Sequence, residues 1–367
     1  MRQHRHLVDW RRWPVVPLLL LAMAGAANAQ DEAAPPASAS NWPDPSSSPA
    51  EILDVARIQK SLLLDAANAR DRAVVVGDRG HILVSESRSE WRQVPVPTRS
   101  MLTSVYAVDN KLWAVGHDQV IVYSSDGGLT WTLQHHDAAA EGPLLDVLFL
   151  DAERGYAIGA YGQFLSTTDS GANWTVQTIS DRVGASAPAA VAADEATDMG
   201  EDDSGLASTD MGEDEGDPHL NAIVRTSAGL LIVGEAGSTY RSTDNGANWT
   251  RGDLPYEGSM FGLVGLDNDT VVAFGLRGNA FLTTDLGRNW ERLETGTEAT
   301  LLGGAAVPGA RAVLVGASGS VLLLPANSLQ LRGYTFSDGG VMSAVLPITE
   351  SEFLTIGENG LATYQPN

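Results

Sequence analysis

A run of apolar residues closed by a glycine turn, Gly-x-x-Gly in six of the seven cases, recurs seven times along this 367-residue chain, and it limits the fold more than any other feature. The first glycines are Gly77, Gly116, Gly159, Gly234, Gly275, Gly316 and Gly357, at spacings of 39, 43, 75, 41, 41 and 41 residues. The runs before them, such as Ala73-Val74-Val75-Val76, Leu230-Leu231-Ile232-Val233 and Val271-Val272-Ala273-Phe274, are of strand length and bounded by glycine, as buried strands are. A period near forty with several short strands per unit indicates a propeller blade, because one such sheet cannot bury both faces until it stacks on its neighbours. The expected fold is therefore all-β, a seven-bladed β-propeller over residues 51–367. The glycine pairs are expected in tight turns between the second and third strands, where glycine supplies φ > 0. The second repeat departs from this with Gly116-His117-Asp118-Gln119. By register Leu361-Ala362-Thr363-Tyr364 is the third strand of blade 7. Residues Ile52 to Ala56 are expected to add the fourth, since an open edge would expose unpaired backbone groups.

The first 29 residues read as a secretory signal: Arg2, Arg5, Arg11 and Arg12 precede an apolar run from Val15 to Gly25, and Ala27-Asn28-Ala29 stands before Gln30, the expected start of the mature chain. The apolar run is shorter than the roughly twenty residues a membrane helix needs. A periplasmic or secreted protein is expected, with no transmembrane segment after cleavage. There is no cysteine, which excludes disulfides, thiol catalysis and thiolate metal sites. Residues 30–50, rich in Pro, Ser and Ala, are expected to be a disordered leader. The one long spacing is explained by an acidic insertion at residues 181–217, which holds twelve Asp or Glu and one Arg and is expected to be disordered. Net charge is −23, and 21 Arg and two Lys are scattered along the chain, so a nucleic-acid partner, which would need basic stripes, is not expected.

Four turns share the pattern Ser/Thr-x-Asp-x-Gly-x-x-Trp, in register with the repeat: Ser124, Asp126, Gly128 and Trp131; Thr167, Asp169, Gly171 and Trp174; Ser242, Asp244, Gly246 and Trp249; Thr283, Asp285, Gly287 and Trp290. The Asp can accept N–H bonds across its own turn, the Gly supplies the turn backbone, and the Trp can pack between blades. These are Asp-boxes, and their role is structural. The first repeat keeps only Trp91 of the box. Asp-box propellers include sialidases, sortilin-type receptors and the photosystem II assembly and stability factors. From Ile52 to Tyr364 the chain most resembles the last, the YCF48-like family, on its sevenfold count, turns such as Val233-Gly234-Glu235-Ala236-Gly237, and boxes such as Ser242 to Trp249. That resemblance implies a non-enzymatic scaffold, an assembly, stability or accessory factor for a membrane or envelope protein complex, working without a cofactor. A monomer is expected. Arg79 and Arg277, at equivalent places in the glycine turns, are the candidate partner-binding residues, by parallel with the arginine-rich face of relatives.

The alternative is a secreted glycoside hydrolase of sialidase type. Such an enzyme needs an arginine triad, a Tyr–Glu nucleophile pair and an acidic proton donor. The nearest match to its first arginine motif is Arg57-Ile58-Gln59, without the proline, and Arg225 and Arg241 sit in no recognisable catalytic frame. Metal binding is not expected: adjacent His135 and His136 in a strand point to opposite faces. His81 and His117, at glycine turns, are expected to be exposed.

Overall fold

The structure, a computed structural model, describes residues 43–184, 216–266, 269–307, 310–326 and 328–366. The expected signal peptide, leader residues 30–42 and insertion residues 185–215 lie outside them. Seven antiparallel sheets follow one another along the chain, six of four strands and the last of three, each with its strands in sequential order. The inner strands are Leu63–Ala69, Leu102–Val108, Leu144–Phe149, Leu220–Arg225, Met260–Gly265, Leu301–Ala306 and Met342–Pro347. Each inner strand packs on the next, and the seventh packs on the first, closing a seven-bladed propeller around a central channel.

The second strand of each blade explains why its sequence shows no polar alternation. In Arg72–Gly77, Val74 and Val76 join Leu112 and Ala114 of blade 2, whereas Ala73 and Val75 join Leu354 and Ile356 of blade 7. Both faces are buried between neighbouring sheets, so both must be apolar. Large side chains fill parts of these seams. Trp113 of blade 2 is fully buried and lies parallel to Phe149 of blade 3, ring centroids 3.5 Å apart, and burial of such side chains contributes about 1.5–3 kcal/mol each.

Two features of the turns differ from the sequence expectation. The first glycine of the pattern is extended, with φ −179° at Gly77, and it is required for close approach: a Cβ there would lie 2.4 Å from the Leu62 carbonyl oxygen. The left-handed position comes two residues later and is not glycine, as at Arg79 (φ 54°), Asp118 (φ 56°), Tyr161 (φ 53°) and Arg277 (φ 55°). Only the fourth residue of the pattern combines glycine with positive φ.

The leader is not disordered throughout. From Pro43 onward it forms a strap along blade 1, where Arg99 N–H donates to the Pro45 carbonyl (2.8 Å), Ala50 N–H to the Val96 carbonyl (2.9 Å), and Leu53 N–H to Gln93 Oε1 (2.8 Å). Within the strap Ser46 and Ala50 are buried. Composition concealed this because backbone bonds, not large apolar side chains, hold the segment. The insertion is likewise ordered at its first residues: Ser180–Arg182 is a 3-10 turn and Val183 bridges Trp249 of blade 4.

The expected fourth strand of blade 7 is also corrected. Residues Val55–Ile58 form a short helix, capped by Asp54, whose Oδ1 accepts the Arg57 N–H at 3.0 Å. Ile58 is fully buried among Ala344, Leu346, Leu354 and Ile356. Leu361 N–H then donates to the Gln59 carbonyl at 3.0 Å. The N-terminal segment does meet blade 7 at the expected place, but as a helical plug with one backbone bond rather than as a paired strand.

Candidate functional site

Each Asp-box is a self-contained hydrogen-bond unit between the third and fourth strands. The Ser or Thr hydroxyl donates to Asp Oδ1 at 2.7–2.9 Å and accepts the glycine N–H at 2.8–3.0 Å. The residue before the Trp donates its N–H to Oδ1 at 2.9–3.0 Å and its side chain, Thr130, Asn173, Asn248 or Asn289, to Oδ2 at 2.6–2.8 Å. Partial burial pushes the Asp126 carboxyl up, but the bonds from Thr130, Ser124 and Leu129 outweigh it and hold it at about 2. Asp169 and Asp244 are held low by Asn173 and Asn248, and Asp285 is held low by Asn289 against its burial. Every carboxylate oxygen of these boxes is engaged within its own loop.

The boxes also join blades. The residue between the Asp and the Gly is left-handed (Gly127, Ser170, Asn245, Leu286), and its carbonyl is free of the box's own bonds. The preceding blade takes it: Arg72 Nη1 donates to the Gly127 carbonyl at 2.8 Å, Trp113 Nε1 to that of Ser170 at 2.9 Å, and the Tyr156 hydroxyl to that of Asn245. At the next seam Leu231 lies against Gly287, where a Cβ would be 2.8 Å from its Cδ1. Trp131 packs in the blade 1–2 core and Trp249 in the blade 3–4 core. Trp174 and Trp290 are half-buried at the next seams.

Blade 1 keeps more of the box than Trp91. Ser85 Oγ accepts the Arg88 N–H at 2.7 Å, Ser87 Oγ accepts the Glu90 N–H at 3.0 Å, and Trp91 Nε1 donates to the Arg88 carbonyl at 3.2 Å. Arg88 stands at the glycine position with φ 60°. A hydroxyl replaces the carboxylate and the loop is one residue shorter, so no sequence pattern reveals it.

Arg79 and Arg277 lie at the opposite end of the third strand from the boxes. They occupy equivalent left-handed positions in blades 1 and 5, both exposed; Arg79 Nε approaches Asp78 Oδ2 at 3.4 Å. His117 is exposed as expected, whereas His81 is 2% exposed, with neither ring nitrogen hydrogen-bonded and its pKa lowered by burial. His135 and His136 diverge, Nε2 of the former lying 3.5 Å from Gln119 Oε1 and Nδ1 of the latter 3.0 Å from Ser46 Oγ. Among the described residues no three His, Asp or Glu are grouped to hold a metal ion, and no helix is long and apolar enough to cross a membrane.

The central channel, of about 550 Å³, holds acidic residues that sequence reasoning missed. Most inner strands are bulged near their start, between Leu63 and Asp65 and between Leu102 and Ser104 for example, which turns residues there toward the axis. Asp65 accepts the N–H groups of Ala66 in its own blade and Val105 in the next, both at 2.8 Å. Asp146 does the same for Val147 and, across the seam to blade 4, Ile223, both at 2.8 Å. Ser104 Oγ lies between them, 3.0 Å from Asp65 Oδ2 and 2.8 Å from Asp146 Oδ1. The signal was present as a repeated Leu-Leu-Asp, Leu63-Leu64-Asp65 and Leu144-Leu145-Asp146, an acid placed inside an apolar strand.

Solved structures share this architecture. YCF48 bound to a D1 peptide is 16% identical with a TM-score of 0.60, the alignment covering 84% of this chain and 93% of that one. YCF48 from Cyanidioschyzon merolae is 14% identical with a TM-score of 0.61, over 84% of this chain and 96% of that one. The WD40 β-propeller domain of Doa1 is 11% identical with a TM-score of 0.60, over 83% and 92%. Among curated proteins none matches by sequence. The model of the family described as photosynthesis system II assembly factor YCF48 matches residues 83–202 and 135–299, together more than half of the chain. With the boxes, the sevenfold ring and this match in agreement, the chain belongs to the YCF48 family of photosystem II assembly factors.

Proposed function

We propose that this protein is an exported, non-enzymatic scaffold that binds a segment of a membrane or envelope protein during assembly of its complex. Membership of the YCF48 family carries the reading, and a structural relative held with a D1 peptide supports it. The signal-like first 29 residues support export to the periplasm. The Asp-box carboxylates, spent within their own loops, favour a structural role over a hydrolytic one.

Crosslinking of the tagged mature protein in its native host, with and without residues 185–215, tests the proposal. Reproducible capture of one membrane complex is expected. Its absence, together with turnover of a fluorogenic sialoside panel, would favour the hydrolase instead. The double variant Arg79→Ala/Arg277→Ala is expected to weaken binding of the captured partner at least tenfold, about 1.4 kcal/mol or more. Unchanged affinity would remove the glycine-turn edge from the binding surface.

A further inference from the structure

Ser104 makes two close oxygen contacts with one proton to give. Its hydroxyl donates either to Asp65 Oδ2 or to Asp146 Oδ1, not to both, yet it lies at hydrogen-bond distance from each. The backbone groups around the pair supply no further proton to these contacts, because the N–H groups of Ala66, Val105, Val147 and Ile223 are already directed at the carboxyl oxygens themselves. The second oxygen contact therefore needs a proton carried by a carboxyl group. With both acids ionised, a serine lone pair would face a carboxylate across 2.8–3.0 Å, in a channel whose other lining is apolar or neutral.

We infer that Asp65, Ser104 and Asp146 form a relay holding one shared proton near neutral pH, and that this relay makes the central channel a pH-sensitive latch across blades 1 to 4. The proton sits on Asp65, whose Oδ2–H donates to Ser104 Oγ, while the serine proton goes to Asp146 Oδ1. Loss of that proton places two negative charges around one hydroxyl and loosens the seams they span.

The electrostatic surroundings agree. Burial, reinforced by the charge of Asp146, pushes the Asp65 carboxyl up to about 7, and burial pushes Asp146 up to about 6. Asp65 is the better proton holder. Of the residues lining the channel, these two alone are ionisable among those described. The phenol of Tyr106, on the same strand as Ser104, is raised by burial, with Arg225 of blade 4 lowering it and the charge of Asp146 raising it. Among the described residues no charged group of blades 5 to 7 lines the channel to offset the acids.

The sign follows. Both folded-state values exceed the roughly 3.9 of an unfolded aspartate, so the native state binds more protons between about pH 4 and 7. Stability from the relay is complete below about pH 4 and lost as pH rises through about 7.

Carboxyl ¹³C NMR titration of the labelled mature protein, with Asp65→Asn and Asp146→Asn to assign the signals, tests this directly. One step of the coupled pair is expected at about pH 6–7, two to three units above an ordinary aspartate. In Asp146→Asn, where the amide supplies a donor and removes the second charge, the Asp65 midpoint is expected to fall by at least one unit. Both wild-type signals titrating below pH 5 would overturn the relay. Thermal melts keep the question open to an answer if the variants fail to fold: the wild-type midpoint is expected to drop between pH 5 and 8, and a flat or rising midpoint counts against the latch.

Discussion

Asp126 shows how much one side chain can organise. It accepts from two backbone N–H groups and two hydroxyls, and the loop so formed presents the Gly127 carbonyl to Arg72. Replacing it by Ala leaves those donors without partners, and a loss of about 1–3 kcal/mol is expected in urea unfolding. The effect should depend on pH in one direction. The folded-state carboxyl is held at about 2, so its contribution is present above about pH 4 and lost as pH falls through 2. The stability gap between wild type and Asp126→Ala should accordingly close in acid, and a gap that persists at pH 2 would mean that the carboxylate is not what holds the loop. The four boxes were legible because carboxylate, glycine and tryptophan recur at fixed offsets. The blade 1 loop was not, since Ser87 and a left-handed Arg88 reach a similar geometry from unrelated residues.

At the level of elements, the seam between blade 7 and the N-terminal segment is the weakest in pairing and relies on packing. Ile58 fills it, with a single backbone bond beyond it from Leu361 to Gln59. Ile58→Ala should cost about 2–5 kcal/mol, and removal of residues 51–57 should lower the melting temperature further. A melting temperature unchanged by both would show that blade 7 holds without the plug. Where closure happens could be read from the register of the repeats, because an unpaired edge demands cover. Its conformation could not. Asp54 caps a helix at the very residues an alternating strand would need, and only contact with Leu354 and Ile356 selects between the two. The strap from Pro43 escaped notice for a similar reason, its hold being backbone bonds to Val96 and Arg99 that leave no trace in composition.

For the whole molecule, the seven-part ring was written in the glycine spacing, whereas the channel was not. Periodicity reports what blades share, and Asp65, Ser104 and Asp146 matter through their differences. Their titration opposes that of the boxes, one set losing stability above about pH 4 and the other below it, and the net negative charge adds self-repulsion as pH rises. The melting temperature of the intact protein is expected to peak near pH 4–5, and a maximum above pH 7 in a buffer series would show that neither group governs it. The staples between blades have a direction: in each case described, the earlier blade grips the carbonyl of the later one. During synthesis the ribosome therefore delivers the clasp before the part it fastens, so each emerging blade can dock on a finished neighbour. The last seam cannot form until Leu361 has left the exit tunnel, and until then Gln59 and Ile58 wait without their partner.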